Sequence, residues 1–350
     1  MSGGVDSSLA AKLMADAGFD CVGCTMKLFE AEDLETADRP CCSLNDVEDA
    51  RAVAGALGIP FYVFNFREEF RSQVIDRFIA SYEEGRTPNP CIDCNRYLKF
   101  GKLLRRAKEL DCCWVVTGHY ARVEERGGRF LLKRAADPAK DQTYFLACLT
   151  QEQLAHVRFP LGELTKDQVR RLARDAGFVN ADKRDSQDIC FVPDGDYAAV
   201  MEEYTGKTYP AGDYLDRDGR VVGRHRGAVR YTLGQRRGLD LALGEPVYVC
   251  AKDMEQNTVT VGPDSALYSP GLRAEGMIWY PFETPDGPLR CTVKTRHSQR
   301  EAPATVRPLE NGGALVEFDA PQRAVTPGQA VVLYDGDYVL GGGTIGSAIP

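Results

Sequence analysis

The first eight residues, Met1, Ser2, Gly3, Gly4, Val5, Asp6, Ser7 and Ser8, constrain the fold more than any other stretch. They read as a glycine-rich turn running directly into an amphipathic helix. Val5, Leu9, Leu13 and Ala17 recur at helical spacing, and Gly18 is placed to end the run. Such a junction points backbone N–H groups at an anion. Gly3 and Gly4 let the backbone approach closely and take positive φ. Ser2, Ser7 and Ser8 add hydroxyl donors, and Asp6 offers oxygen ligands for Mg²⁺. No Gly-Lys-Ser/Thr follows, so this is not the Walker arrangement. A loop of this kind normally follows a buried central strand, which predicts a strand upstream of Met1 in the functional protein.

The pattern beyond the loop alternates. Residues 21–28 read as a buried strand, 31–40 as a polar loop, and Asn45 with Glu48 as a capping box for a helix through Leu57. Residues 61–64 form a strand, and Phe70, Val74, Phe78 and Tyr82 mark an amphipathic helix. Residues 114–117 are another strand. This alternation predicts an α/β, doubly wound parallel sheet. Gly127-Gly128 joins two short alternating runs as a hairpin. Thr165 with Gln168 caps a further helix. From about Gly212 short β-like runs alternate with Gly, Pro and Asp turns to the end, predicting an all-β region, a barrel or sandwich.

With 350 residues the chain predicts more than one domain. No apolar run is long enough to span a bilayer and no signal-peptide pattern opens the chain, so no membrane partner and a cytoplasmic location are expected. The net charge of −8 argues against indiscriminate nucleic-acid binding but leaves room for a local basic surface. Basic residues cluster at Arg96, Lys99, Lys102, Arg105, Arg106 and Lys108, and again over residues 217–237. Either stretch is a solvated face or a phosphate contact.

The twelve cysteines are not spaced as in a secreted disulfide scaffold. Cys21, Cys24, Cys112, Cys113, Cys148, Cys250 and Cys291 read as small buried hydrophobes. Cys91 and Cys94 differ. They lie in a segment, residues 85–95, that Pro88 and Pro90 hold extended, with helix resuming near Arg96. Cys94 is then expected at a helix N-terminus, where the dipole lowers a thiol pKa from about 8.5. A lone Cys-Xaa-Xaa-Cys has several meanings, and no second pair or suitably spaced His makes a closed zinc site. His119 follows a strand end, where open α/β sheets place ligands, or is a satisfied core histidine. Residues 140–145 gather polar groups before an apolar run. Residues 185–191 set Cys190 between a polar loop and an apolar segment.

The opening loop resembles the pyrophosphate loop of N-type ATP pyrophosphatases, which split ATP between the α and β phosphates. The chain as a whole resembles the bacterial and organellar tRNA-specific 2-thiouridylases. The matching stretches are residues 2–8, 85–95 with 98–100, 117–122, 140–146, 185–191, 231–238, 293–296, 324–329 and 340–343. The resemblance implies an adenine-nucleotide α-hydrolase-like (PP-loop) domain over residues 1–195, a small central domain over 196–265 and a C-terminal β-barrel over 266–350. By motif position, Met1, Ser2, Gly3, Gly4, Val5, Asp6, Ser7, Met26 and Gly118 fall where the family binds ATP. Asn89, Pro90 and Cys91 fall where it meets the target base. His119, Lys140, Asp141, Gln142, Arg296, His297 and Gln329 fall where it meets tRNA. Cys94 takes the nucleophile position and Cys190 the persulfide position. At position 91 the family usually has aspartate.

The implied reaction is ATP-dependent 2-thiolation of the wobble uridine of tRNA, with sulfur delivered by a persulfide-relay or desulfurase protein. Cys94 either attacks the Cys190 persulfide or closes a disulfide as sulfur leaves. A second reading has Cys91, Cys94 and Cys190 bind a [4Fe–4S] cluster with one open iron. The rivals are another adenylating enzyme, such as an amidotransferase-type synthetase or a tRNA lysidine synthetase, and a non-catalytic RNA-binding module.

Overall fold

The computed structural model describes residues 1–29, 44–183, 189–192 and 195–350. The polar loop at 31–40, Cys41 and Cys42, and Asp185, Ser186, Gln187 and Asp188 lie outside the described residues. The chain divides into two compact units. One comprises Met1–Ile75, Pro90–Gly195 and Gly336–Leu340, the other Asp76–Asn89, Asp196–Asp335 and Gly341–Pro350.

The first unit is built on the opening helix, α1 (Val5–Asp16), which buries Val5, Ser8, Leu9 and Ala10. Strand β1 (Gly23–Lys27), helix α2 (Leu44–Leu57) and strand β2 (Phe61–Asn65) follow. The helix α2 starts one residue before Asn45, so the expected Asn45/Glu48 box does not form its cap. After α3 (Arg67–Phe70), a wide π-type segment (Arg71–Ile75) completes that stretch. In the second unit α4 (Asp76–Glu83) buries Phe78, Ile79 and Tyr82. Back in the first unit, α5 (Pro90–Asp93), a π-type stretch (Cys94–Lys102) and α6 (Leu103–Glu109) run as one helical rod. Here the structure corrects the expectation of an extended loop to residue 95. Proline at the first helical position has no N–H to lose and a φ already set for helix, so Pro90 starts the helix.

Strand β3 (Val115–Val116) and the hairpin β4 (Arg122–Arg126) and β5 (Arg129–Lys133) come next. Gly127 and Gly128 both take positive φ between the paired Arg126 and Arg129. That is the two-residue turn the sequence predicts, and its twist matches the strands. Short helices α7 (Thr143–Leu146) and α8 (Gln151–Ala155), strand β6 (Val157–Arg158) and helix α9 (Lys166–Asp175) complete the unit. The Thr165/Gln168 box forms at the start of α9: Gln168 N–H donates to Thr165 Oγ1 at 3.3 Å, and Thr165 N–H donates to Gln168 Oε1 at 2.7 Å. All the strand pairing among β1, β2, β3 and β6 is parallel, in two pairs, β1 with β2 and β3 with β6. The α1 face packs with Val53 of α2 and with Val169 and Ala173 of α9 in one core. Burial of Val5 and Leu9 contributes roughly 1.5–3 kcal/mol each.

The second unit carries α10 (Tyr197–Thr205) and a four-stranded sheet, β7 (Gly212–Leu215), β8 (Val221–His225), β9 (Tyr248–Asp253) and β10 (Thr258–Gly262), in the order β8-β7-β10-β9. Tyr214, Tyr231, Leu239, Val249 and Val259 fill its core. Six further strands follow: β11 (Tyr268–Trp279), β12 (Leu289–Lys294), β13 (Ala302–Pro308), β14 (Ala314–Arg323), β15 (Ala330–Asp335) and β16 (Tyr338–Ile349). Because β11 pairs with both β14 and β16, these six close on themselves. Closure removes the sheet edges that an open β-sheet would expose.

One buried side chain ties the opening loop to the rest of its unit. Asn180 is 3% exposed, and its amide donates to Gly3 O and Ser8 Oγ, both at 2.9 Å. Asn180→Ala leaves both acceptors buried without that donor. It is expected to destabilise the protein by about 1–3 kcal/mol in urea unfolding; an unchanged midpoint would show that the loop holds its shape without Asn180.

Candidate active site

The opening loop is held from several sides. Gly3 has φ +70°, and a Cβ there would lie 2.4 Å from Asp46 O at the start of α2. Gly118, just past β3, is equally constrained: its Cβ would lie 2.5 Å from the Asp6 carbonyl carbon and 2.7 Å from Ser7 N. Only glycine permits either approach. Thr25 of β1 donates to Met1 O at 2.7 Å, which brings the strand bearing Met26 beside the loop. The hydroxyls of Ser7 and Ser8 both donate to Gly4 O, at 3.0 and 3.1 Å. They shape the loop rather than reach outward. Gly4 is the N-cap of α1 and no side chain caps this end. The N–H groups of Val5, Asp6 and Ser7 have no acceptor within the helix, the arrangement that suits an anion. The structure thus brings Gly3, Gly4, Asp6, Ser7 and Gly118 together.

Sequence reasoning missed the partners of Asp6. Lys166 Nζ lies 2.8 Å from both carboxylate oxygens, and Tyr120 Oη donates to Oδ1 at 2.8 Å. Lys166 is 7% exposed. It sits in the first turn of α9, where a cation is unfavourable to the helix dipole. That misplacement is the signal that could have identified it. Tyr120 is held in turn by Gln142: Tyr120 N–H donates to Gln142 Oε1 at 2.8 Å, and Gln142 N–H donates to Tyr120 O at 2.9 Å. Gln142, expected to meet tRNA, therefore supports the loop through Tyr120.

The cysteines occupy a second region of the same unit. Cys91 is exposed in the first turn of the Pro90 helix, and Cys94 lies one turn further on, half-buried. The helix N-terminus expected at Cys94 therefore lies at Cys91. Burial pushes the Cys94 thiol above its ordinary pKa, with the Lys99 charge opposing the shift. Next to it, Cys148 donates to Ile92 O at 3.6 Å, and burial raises its pKa to about 12. That thiol is inert, as a buried small hydrophobe should be. Cys113, by contrast, is exposed, against the same expectation. Asn95 anchors the Cys94 turn by donating to Phe145 O at 3.1 Å.

Cys190 is fixed by its neighbour Phe191, which is 4% exposed and meets the Phe70 ring edge-on at 5.8 Å. Phe70 ends α3, which packs against the Cys94–Lys102 stretch. Both cysteine segments are thereby attached to one layer of helices. Among the described residues no three His, Cys, Asp or Glu side chains are grouped to hold a metal ion. Cys91, Cys94 and Cys190, as placed, do not make a cluster ligand set.

Several residues at the expected tRNA-contact positions make internal contacts. His119 packs between Phe100 and Phe159, and its Nδ1 lies 2.8 Å from Thr117 Oγ1. Burial, aided by the Lys99 charge, holds its pKa well below the ordinary value, so the ring is neutral at pH 7 and brings no charge to a phosphate. Asp141 accepts from Ala135 N–H at 3.0 Å and from Thr143 Oγ1 at 2.6 Å. Lys140 adjoins it in the turn before α7. In the second unit, Gln329 donates to Thr87 O at 2.8 Å, steadying the loop that carries Asn89. Arg296 Nη2 donates to Leu233 O, Ala324 O and Thr326 Oγ1. His297 beside it is exposed. In the Arg96–Lys108 stretch, Lys102 pairs with Glu69, Arg106 with Glu109 and Lys108 with Glu152. Half of that basic cluster is thus already neutralised.

Residues 1–194 match the family described as tRNA methyl transferase HUP domain. Residues 198–263 match the tRNA methyl transferase PRC-barrel domain, and 269–345 the aminomethyltransferase beta-barrel domain. The chain is similar to the tRNA-specific 2-thiouridylase MnmA of Symbiobacterium thermophilum, with 51% identity over 100% of this chain and 91% of that one. It is 48% identical to the protein of the same name from Clostridium perfringens, over 100% of this chain and 98% of that one. For the Acetivibrio thermocellus protein of that name the identity is 48%, over 99% and 97%. Similarity of this depth along the whole length, with the loop and both cysteine segments included, shows that the chain belongs to the tRNA-specific 2-thiouridylase family.

Proposed function

We propose that this protein is a tRNA-uridine 2-sulfurtransferase, which uses ATP to replace the C2 oxygen of the wobble uridine with sulfur. One observation carries the reading. An uncapped helix N-terminus with Asp6 and Lys166 beside it shares a unit with two cysteines held on one helical layer. The first arrangement suits ATP phosphates and the second suits sulfur. A lysidine synthetase or an amidotransferase-type synthetase has no use for the paired cysteines.

A carbonyl oxygen is a poor leaving group. Attack of the uridine O2 on the α-phosphate of ATP expels pyrophosphate and leaves the base adenylated, so that the oxygen departs later as AMP. The N–H groups of Val5, Asp6 and Ser7 and the Lys166 ammonium stabilise the charge that develops on the phosphates. Asp6 is the residue to hold Mg²⁺, which when bound neutralises phosphate charge. The target base leaves its stack to reach the site, at a cost of a few kcal/mol.

Sulfur arrives as a persulfide on Cys190, loaded by a separate donor protein in the cytoplasm. Two balanced routes follow. In one, the Cys190 persulfide attacks C2, AMP leaves, and Cys94 thiolate attacks the Cys190 sulfur, closing a disulfide and releasing thiolated uridine. In the other, Cys94 attacks the persulfide first, forming the same disulfide and freeing sulfide to displace AMP. Either route ends with a Cys94–Cys190 disulfide that an external thiol must reduce. The cluster reading needs Cys91 as a third ligand. The cluster-free route asks nothing of Cys91, which is exposed in the first turn of its helix.

Three outcomes are expected. Asp6→Ala and Lys166→Met each abolish tRNA-dependent pyrophosphate release while leaving tRNA affinity within about twofold; full release by either variant would remove the loop from the chemistry. Cys94→Ser and Cys190→Ser lose thiouridine by nucleoside mass spectrometry yet still release pyrophosphate, whereas Cys91→Ala keeps substantial thiolation. Loss of thiolation together with bound iron in Cys91→Ala would establish the cluster instead. Because burial raises the Cys94 pKa, its thiol is mostly protonated at pH 7, so single-turnover sulfur transfer should quicken as pH rises above neutral. A rate flat from pH 7 to the alkaline side would show that Cys94 deprotonation does not limit the step.

A further inference from the structure

The turn formed by residues 231–238 has no role in the chemistry above, yet it is braced from several directions. Tyr231 is buried against Tyr214 and His225, with ring centroids 5.5 Å from each. Gly234 N–H donates to Val249 O at 2.8 Å, and Val249 N–H donates to Gln235 O at 2.9 Å, which stitches the turn to β9. Inside the turn, Thr232 N–H donates to Gln235 Oε1 and Gln235 Nε2 donates to Arg237 O, both at 3.0 Å. Gly234, at φ +82°, backs onto Ala324, where a Cβ would come within 2.8 Å of the alanine methyl. From outside, the Arg296 guanidinium grips Leu233 O at 3.1 Å and joins the turn to Ala324 and Thr326.

Such bracing presents Arg236 and Arg237 at the surface, both exposed. Most arginines of this unit have a carboxylate within reach: Arg230 pairs with Glu202 at 2.9 Å, Arg290 with Asp319 at 2.7 Å, Arg307 with Glu317 at 2.8 Å and Arg323 with Asp264 at 2.8 Å. Among the described residues, neither the Arg236 nor the Arg237 guanidinium has an ion-pair partner. Nor does Arg300, exposed on the loop that begins at Arg296. In a chain with 51 acidic and 43 basic residues, two adjacent exposed arginines with no carboxylate partner leave both guanidiniums available to an anion. Arginine's planar fork suits phosphate. Arg296, whose hydrogen bonds go to protein oxygens, sets the turn's position.

We propose that Arg236 and Arg237, with Arg300 on the loop joined to them through Arg296, form a phosphodiester-binding surface for the tRNA backbone. It rests on the function proposed above and extends the tRNA contact to residues outside the catalytic unit. Phosphate contacts fix register without reading bases, so this surface holds the tRNA whatever its sequence.

The test is tRNA affinity against salt concentration for wild type, R236Q/R237Q and R236K/R237K, all with unfolding midpoints matched to wild type. Each phosphate contact contributes roughly 0.7–0.9 to the slope of log affinity on log salt. The glutamine pair should therefore flatten the slope by about 1.5, and the lysine pair should largely restore it. In turnover, the glutamine variant should raise KM for tRNA with kcat and the KM for ATP unchanged. A slope equal to wild type in R236Q/R237Q would overturn the surface while leaving the proposed function standing. Failure of the wild-type protein to bind tRNA at all would overturn both.

Discussion

The contact on which the candidate site depends is the Asp6–Lys166 pair. It joins the first turn of the opening helix to the first turn of α9, residues 160 positions apart, at 2.8 Å to both carboxylate oxygens. A buried ammonium without its carboxylate is costly, because removing one member leaves an uncompensated charge in a poorly solvated place. The pair therefore fixes where α9 meets the loop. Tyr120 and Gln142 extend it on one side, and Asn180 supports the loop on the other. Gly3 and Gly118 make this closeness sterically possible. The N-terminus of α1, where the proposed function puts the phosphates, is thus fixed by protein contacts alone, which is what electrostatic preorganisation requires.

Much of the frame was legible because it rests on local chemistry. The Thr165/Gln168 box, the Gly127-Gly128 turn and the alternation around residues 61–64 and 114–117 depend on neighbours a few residues apart. The closed barrel was legible as a β-rich texture, although its closure through β11 and β16 was not. What escaped was contact across long sequence separations. Nothing near Lys166 or Asn180 announces their partners at the chain's start, except that a lysine in a helix's first turn is out of place. The error at Pro90 has a different cause. Proline's lack of an N–H predicts a helix break, but its fixed φ makes it a helix starter at the first position, and Cys94 lies one turn further along the helix than expected. Asp141, Gln142, Arg296 and Gln329 fell at tRNA-contact positions by resemblance. In this chain their side chains make internal hydrogen bonds that hold neighbouring groups in place.

The proposed function asks two kinds of chemistry of the first unit: phosphate binding at the partly buried N-terminus of α1, and thiol chemistry at a half-buried cysteine one turn inside a second helix. They place opposite demands on their surroundings. The loop works because its N–H groups remain open to an anion. Burial instead pushes the Cys94 thiol above its ordinary pKa, which disfavours the thiolate.

In the proposed reaction the uridine's own oxygen leaves on the nucleotide. It is tested most directly with tRNA carrying ¹⁸O at C2 of the wobble uridine, incubated with ATP, a persulfide donor and the protein, followed by mass spectrometry of the AMP. The account predicts one ¹⁸O in the AMP phosphate for every thiouridine formed. Unlabelled AMP accompanying thiouridine would contradict it, because ATP would then be cleaved without activating the base.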